Sequence, residues 1–254
     1  MRGLILAAGR GRRCMPHTDG IPKLFVEVGG KTIFEHQMEA IEDYVDKVHV
    51  VLGYGFENDD GTLNEEKLEK YVDDTTRADF MLLPNWDNVE NGETVRWAVE
   101  EIRDDIESSS WTTPTKDDIM IVCGDTIFRE SLIQEATEVF YDMIEPNEKF
   151  NNSPYRQHRD SLAILINGKQ NEETAGTIDE DGYLKDYGTM AGYRGTGVWI
   201  MNDSQWGAIR RILEENSSYW FSVAFPVVDT KVMLTDEEVY EINYKENVVD
   251  EYPL

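Results

Sequence analysis

Three arginines and two glycines fill five consecutive positions near the amino terminus, Gly9-Arg10-Gly11-Arg12-Arg13, and Pro22-Lys23 closes the stretch ten residues later. The glycines remove side chains where backbone N–H groups could approach a triphosphate, and Arg13 and Lys23 add fixed positive charge at the same place. A carboxylate arrives much later, in Gly124-Asp125-Thr126-Ile127-Phe128, directly after the apolar run Ile119-Met120-Ile121-Val122-Cys123. An aspartate at the tip of a buried strand, beside a glycine that leaves room, suits a hard divalent cation held against phosphate oxygens. Taken singly, Gly-x-Gly and Gly-Asp also suit ordinary turns, and it is their company that favours phosphate chemistry. No Ser-His-Asp or Cys-His set competes: His17, His36, His49 and His158 are scattered and read as incidental.

The elements that must carry these residues alternate. Gly3 to Leu6 predicts a short strand buried on both faces, and Thr32 to Tyr44 carries the apolar stripe of a helix packed on a sheet. Strands are predicted over Val48 to Leu52, Phe80 to Leu83 and Ile119 to Cys123, with helices over Asn64 to Val72, Asn91 to Ile102 and Glu130 to Met143. This order implies a doubly wound, mainly parallel α/β sheet with ligands at the carboxyl ends of its strands. A loop or flap is expected from Glu145 to Asp160, then a strand from Ser161 to Ile166 and a hairpin of Thr174 to Ile178 with Tyr183 to Tyr187. A strand over Gly195 to Met201, a helix over Asp203 to Glu215 and an aromatic cluster at Tyr219-Trp220-Phe221 and Phe225 follow. That cluster is read as core rather than as a partner surface.

The first loop resembles the signature of the sugar-phosphate nucleotidyltransferases, L-A-A-G-x-G-x-R-x-x-P-x-T-x-x-x-P-K. Leu6, Ala7, Ala8, Gly9, Gly11, Arg13, Pro16, Thr18, Pro22 and Lys23 fill every fixed position. The shorter spacing of the molybdopterin-guanylyl branch does not match it. Residues 24–33 are similar to the family's following segment, with Glu27 and Thr32 at two proline positions. A Walker loop would end in Gly-Lys-Ser/Thr, and the Rossmann fingerprint needs a third glycine; neither is present.

The resemblance implies a three-layer fold of the GT-A-like kind with a small antiparallel excursion, as one domain over residues 1–254. Residues 1–128 would take the nucleotide and residues 129–254 the acceptor. It implies Mg2+ on Asp125, Arg13 against the departing pyrophosphate, and Lys23 on the α-phosphate or the acceptor phosphate. The stretch around Asn91 is similar to the T-N-N-x-x-S-L pattern of the cytidylyltransferase branch, with Asn91 and Thr94 on its second asparagine and its serine, which points to CTP. The bland alternative is that Asn91 caps a helix. Lys185, Tyr187 and Arg194 are the polar side chains that the resemblance sets beside a phosphorylated acceptor, although each also reads as an ordinary surface residue. Residues 240–247 lie where the family writes W-x-E-I-D-T-P-E-D, so that Asn243 replaces the second metal aspartate; Asp229 or Glu241 are possible substitutes. The implied reaction joins a nucleoside triphosphate to a sugar 1-phosphate, inositol phosphate or phosphocholine and releases pyrophosphate. Two rivals remain: a catalytically impaired nucleotide-binding paralogue, favoured by Asn243, and a glycosyltransferase of the same broad fold, for which Asp179-Glu180-Asp181 has the D-x-D form.

The net charge of −27, from 51 acidic against 24 basic residues, excludes broad electrostatic affinity for nucleic acid or anionic lipid. Such acidity, spread along the chain, resembles the surface of a protein from a high-salt cytoplasm, where a Debye length of ~3 Å at molar salt screens self-repulsion. Against that background the arginines of residues 10–13 form a local cationic spot that would draw an anionic substrate to one place. No run approaches the ~18 apolar residues of a membrane span, and the chain begins as a strand rather than a signal sequence, so a cytoplasmic protein is expected. Cys14 and Cys123 are too few and too differently placed for a disulfide framework, and Cys123 reads as a small core residue.

Overall fold

The computed structural model describes residues 1–73, 76–109, 117–143, 160–170, 175–189, 192–216 and 220–250. The expected flap from Glu145 lies outside the described residues as far as residue 159, as do His158, Thr174 and Tyr219. In chain order the first half runs β1 (Arg2–Ala7), the short pair β2 (Glu27–Val28) and β3 (Lys31–Thr32), α1 (Ile33–Ile41), β4 (Lys47–Leu52), α2 (Glu65–Leu68), β5 (Ala78–Leu82), α3 (Asn91–Ser109) and β6 (Ile119–Cys123). The second half runs β7 (Thr126–Ile127), α4 (Glu130–Asp142), β8 (Ser161–Gln170), β9 (Ala175–Ile178), β10 (Leu184–Thr189), β11 (Gly192–Met201), α5 (Trp206–Glu215), β12 (Thr230–Thr235) and β13 (Tyr240–Glu241).

β1 lies between β4 and β6 and pairs in parallel with both, so that Leu6 faces Val51 on one side and Cys123 on the other. β5 extends the parallel array beyond β4. On the β6 side the sheet turns antiparallel through β11, which then pairs with β8 and β9, and the β9–β10 hairpin and β12 complete nine strands. Alternation along each strand makes the layers. Ile5, Val50, Val122 and Val198 meet Phe34 and Ile41 of α1 and Leu132 and Phe140 of α4 on one face. Leu4, Val51, Ile121 and Trp199 meet Val95 and Val99 of α3 and Ile209 and Leu213 of α5 on the other. The result is the three-layer, doubly wound α/β arrangement that the alternation predicts, with the antiparallel strands gathered beyond β6.

Local rules set the boundaries. α1 starts where Thr32 and Glu35 form a reciprocal capping box: the Thr32 hydroxyl accepts from Glu35 N–H at 3.1 Å, and the Glu35 carboxylate accepts from Thr32 N–H at 2.6 Å. α2 is shorter than the predicted Asn64 to Val72. Asn64 caps it, but after Leu68 the chain tightens to bonds from Lys70 N–H to the Lys67 carbonyl and from Tyr71 N–H to the Leu68 carbonyl, and Tyr71 stacks on Phe25. α3 runs on past Ile102 to Ser109, and β12 was not foreseen, because its pairing with β8 comes from distant chain. The aromatic cluster divides: Phe221 and Phe225 are buried on Trp199, whereas Trp220 is 55% exposed.

Trp199 anchors the face below α5, with ring centroids 4.7 Å from Phe225 and 5.0 Å from Tyr187. Trp199→Ala should lower the unfolding free energy by about 3–5 kcal/mol in urea titrations. Loss of the cap in Thr32→Ala should cost about 1 kcal/mol.

Candidate active site

The glycine-arginine loop leaves the carboxyl end of β1. Gly11 sits at φ +59, and a Cβ there would lie 2.7 Å from Lys23 Cγ and 3.1 Å from Thr18 Cγ2, so both conformation and space demand glycine. The Thr18 hydroxyl donates to the Gly11 carbonyl at 3.0 Å. A Cβ on Gly9, by contrast, would meet nothing within 4 Å, so that segment of backbone borders open space. Cys14 is fully buried and its thiol points at the Ile242 carbonyl 3.6 Å away, which ties the loop to the chain beyond β13. Burial pushes this thiol above its ordinary range, with Lys23 opposing.

Asp125 leaves the end of β6, next to β1. Gly124 N–H donates to the Leu6 carbonyl at 3.0 Å, and a Cβ on Gly124 would fall 2.5 Å from that oxygen. The Asp125 carbonyl accepts from Ile242 N–H at 2.8 Å, continuing the β7–β13 pairing of Thr126 with Glu241. Across the gap the Lys23 ammonium lies 2.8 Å from Asp125 Oδ2, with both side chains mostly shielded from water.

Two cavities meet here. The larger, about 380 Å³, is lined by Leu6, Ala7, Ala8, Gly9, Gly11, Arg13, Lys23, Asn91, Thr94 and Asp125, together with Trp86, Glu90 and Trp220. The smaller, about 60 Å³, is lined by Tyr187, Arg194, Glu241 and Asn243, with Gly195, Gly197 and the buried Ser222. Arg13, Cys123, Asp125 and Trp220 belong to both walls. β11 shifts register across Gly195, and Gly197 adopts φ +80, which opens the strand beside the smaller cavity. Lys185 is exposed on β10 and lines neither cavity.

Several side chains stand differently from their sequence reading. Asn91 is the first residue of α3 rather than its cap, and its Oδ1 accepts from Phe221 N–H at 3.2 Å. Its amide NH2 is therefore the group left for the larger cavity. Cys123 packs at the edge of the core and also borders both cavities, and desolvation, then the Asp125 charge, raises its thiol above the ordinary range. Burial likewise raises the Tyr187 phenol, leaving it a hydrogen-bond donor at neutral pH. Arg194 Nη2 lies 2.9 Å from Glu241. Asp229 is exposed and lines neither cavity, so Glu241 is the substitute carboxylate within reach of the site. Asp179 closes the β9–β10 turn by accepting from Asp181 and Tyr183 N–H, which gives the D-x-D segment a structural role. Arg10 stacks over Trp86 at 5.0 Å and Tyr54 at 5.7 Å, and Arg13 over Tyr244 at 5.3 Å. Trp86 and Trp220 are lining residues that the sequence reading does not single out as such; for Trp86 the available signal is a tryptophan in polar, strandless sequence.

Among the described residues no three His, Cys, Asp or Glu side chains converge as a metal cage. Mg2+ does not need one, since it commonly keeps waters and takes one or two carboxylates plus substrate phosphates. Asp125, with Glu241 and the Asn243 amide on the same cavity wall, fits that open donor set, and the Lys23 ammonium already balances the Asp125 charge. Replacing Asp125→Asn should release Lys23 and strengthen triphosphate binding in EDTA about fivefold, the ~1 kcal/mol scale of such an ion pair. Calorimetry checks this, and weaker or unchanged binding would show that the pair does not restrain Lys23.

No helix among the described residues is long and apolar enough to cross a membrane. The chain is 30% identical over 132 residues to the bifunctional protein GlmU of Methanococcus maripaludis, an alignment covering 52% of this chain and 26% of that protein. The chain thus matches about a quarter of the length of that relative. In structure it resembles a putative glucose-1-phosphate thymidylyltransferase from Bacillus anthracis, with TM-score 0.70 and 12% identity, covering 100% of this chain and 97% of the other. It also resembles the CTP:phosphocholine cytidylyltransferase of Streptococcus pneumoniae, with TM-score 0.64, 16% identity and coverage of 97% and 95%. A family model for the MobA-like NTP transferase domain matches residues 3–149, more than half of the chain, and the protein belongs to that family.

Proposed function

We propose that this protein is a nucleotidyltransferase that joins CTP to a phosphorylated small molecule, a sugar 1-phosphate, inositol phosphate or phosphocholine, and releases pyrophosphate. The observation that carries the reading is the wall shared by the two cavities, where Arg13 and Asp125 face both. Residues 1–128 supply the nucleotide side and residues 129–254 the acceptor side of one domain. The choice of CTP is supported by Asn91, whose free NH2 suits the O2 and N3 acceptors of cytosine, and by the Glu90 carboxylate, which suits its amino group.

The acceptor phosphate is ionised at neutral pH, so its oxygen needs no general base to attack the α-phosphorus as the bond to the β-phosphate breaks. Alignment and charge stabilisation then carry the rate. Backbone N–H groups of residues 9–13 cradle the β- and γ-phosphates, Arg13 neutralises the departing pyrophosphate, and Lys23 exchanges Asp125 for an α-phosphate oxygen. Tyr187 and Arg194 orient the acceptor, with Lys185 a more distant contact. Asp125, with Asn243 or Glu241, would hold Mg2+, which when bound would neutralise phosphate charge. The acidic surface fits a salt-adapted cytoplasmic enzyme.

The test is a pyrophosphate-release screen of the four ribonucleotides and dTTP against these acceptor classes, at low and molar salt. Turnover is expected with one pair, abolished by Asp125→Ala and reduced about a hundredfold or more by Lys23→Ala. Wild-type rates in both variants would overturn the assignment, and nucleotide-induced thermal stabilisation without pyrophosphate release would favour a regulatory binder. The melting temperature should rise as salt is raised from about 0.1 M to about 1 M, since the Debye length falls from ~10 Å to ~3 Å.

A further inference from the structure

We propose that Gln37 is a positioning residue for Asp125, a role that rests on the nucleotidyltransferase reading. Gln37 lies in the second turn of α1 and is fully buried. Its Nε2 donates to the Cys123 carbonyl at 2.8 Å and to the Thr126 carbonyl at 2.7 Å. Carbonyls only accept, so chemistry alone requires the NH2 end of the amide to face them. The two acceptors flank Gly124-Asp125, and the side chain therefore staples the turn that presents the carboxylate. Gly124 and Asp125 are otherwise tied by their own backbone, to the Leu6 carbonyl and to Ile242 N–H, and at the carboxylate by Lys23. Gln37 is thus the side-chain brace of this turn, reaching it from the helix that follows the Lys23 segment.

The other end of the same amide argues that packing alone does not explain the residue. Gln37 Oε1 is buried without a hydrogen-bond partner among the described residues, a penalty that an apolar side chain of similar size would avoid. A buried donor pair kept at that cost, aimed at the two peptide groups around a candidate metal ligand, has the form of an outer-shell support.

The experiment compares wild type, Gln37→Met and Met38→Ala, the last a buried neighbour on the same helix that serves as a packing control. Mn2+ binding in the presence of nucleotide is followed by water-proton relaxation, beside the metal dependence of pyrophosphate release and nucleotide affinity in EDTA. Gln37→Met should weaken Mn2+ binding about tenfold or more, the usual range for loss of an outer-shell partner. It should leave metal-free nucleotide affinity within about twofold, whereas Met38→Ala should lower the melting temperature without moving the Mn2+ curve. If Gln37→Met does not fold, Gln37→Glu keeps the shape, retains at most one donor, and should show the same weakening. Wild-type Mn2+ binding in the folded Gln37 variant, or an equal loss in Met38→Ala, would overturn the proposal. Absence of pyrophosphate release from the wild type would instead count against the enzymatic reading, and the Mn2+ comparison would still report on the turn.

Discussion

One backbone hydrogen bond, from Gly124 N–H to the Leu6 carbonyl at 3.0 Å, ties the turn after β6 to the end of β1. It exists because β6 pairs directly with β1, and because a glycine at 124 lets the turn press against that carbonyl with no Cβ between them. Everything chemical follows from that adjacency. The loop after β1 carries the cavity-lining glycines and Arg13, while the turn after β6 carries Asp125. β1 is also where the chain changes direction across the sheet, with β4 reached over one face and β6 over the other, and such a switch opens a crevice at the strand ends.

Charge is handled by pairing within that crevice. In a chain of net charge −27, a phosphate site needs cations that acidic neighbours do not permanently consume. Lys23 is paired with Asp125 across the cavity. Arg10 and Arg13 rest instead on aromatic faces, which hold a guanidinium in place without neutralising it. The smaller cavity is built otherwise, from an Arg194–Glu241 pair, a protonated tyrosine and glycine-relaxed β11.

Much of the fold was legible because its signals are local. Apolar runs marked β1, β4 and β6, and an apolar stripe at helical spacing marked α1. Asp179 and Gly182 marked a hairpin turn. What escaped depends on partners remote in sequence. β12 is a strand because β8 lies beside it, and Trp220 is exposed because its neighbours Phe221 and Phe225 take the space over Trp199. Cys123 reads as core from its run of apolar neighbours, yet it stands at the last position of β6, where the cavities begin.

By itself the sequence determined the doubly wound α/β order and the glycine and arginine content of the first loop, since strand hydrophobicity and glycine spacing act through nearest neighbours. Only the tertiary structure decided which distant groups meet: Lys23 with Asp125, Asn91 with the backbone of Phe221, Gln37 with the turn after β6, and Glu241 rather than Asp229 beside Asn243. Those meetings are set by strand pairing and helix packing, over more than a hundred residues for Lys23 with Asp125 and Asn91 with Phe221, and no local pattern encodes a contact whose two ends are specified by separate parts of the chain.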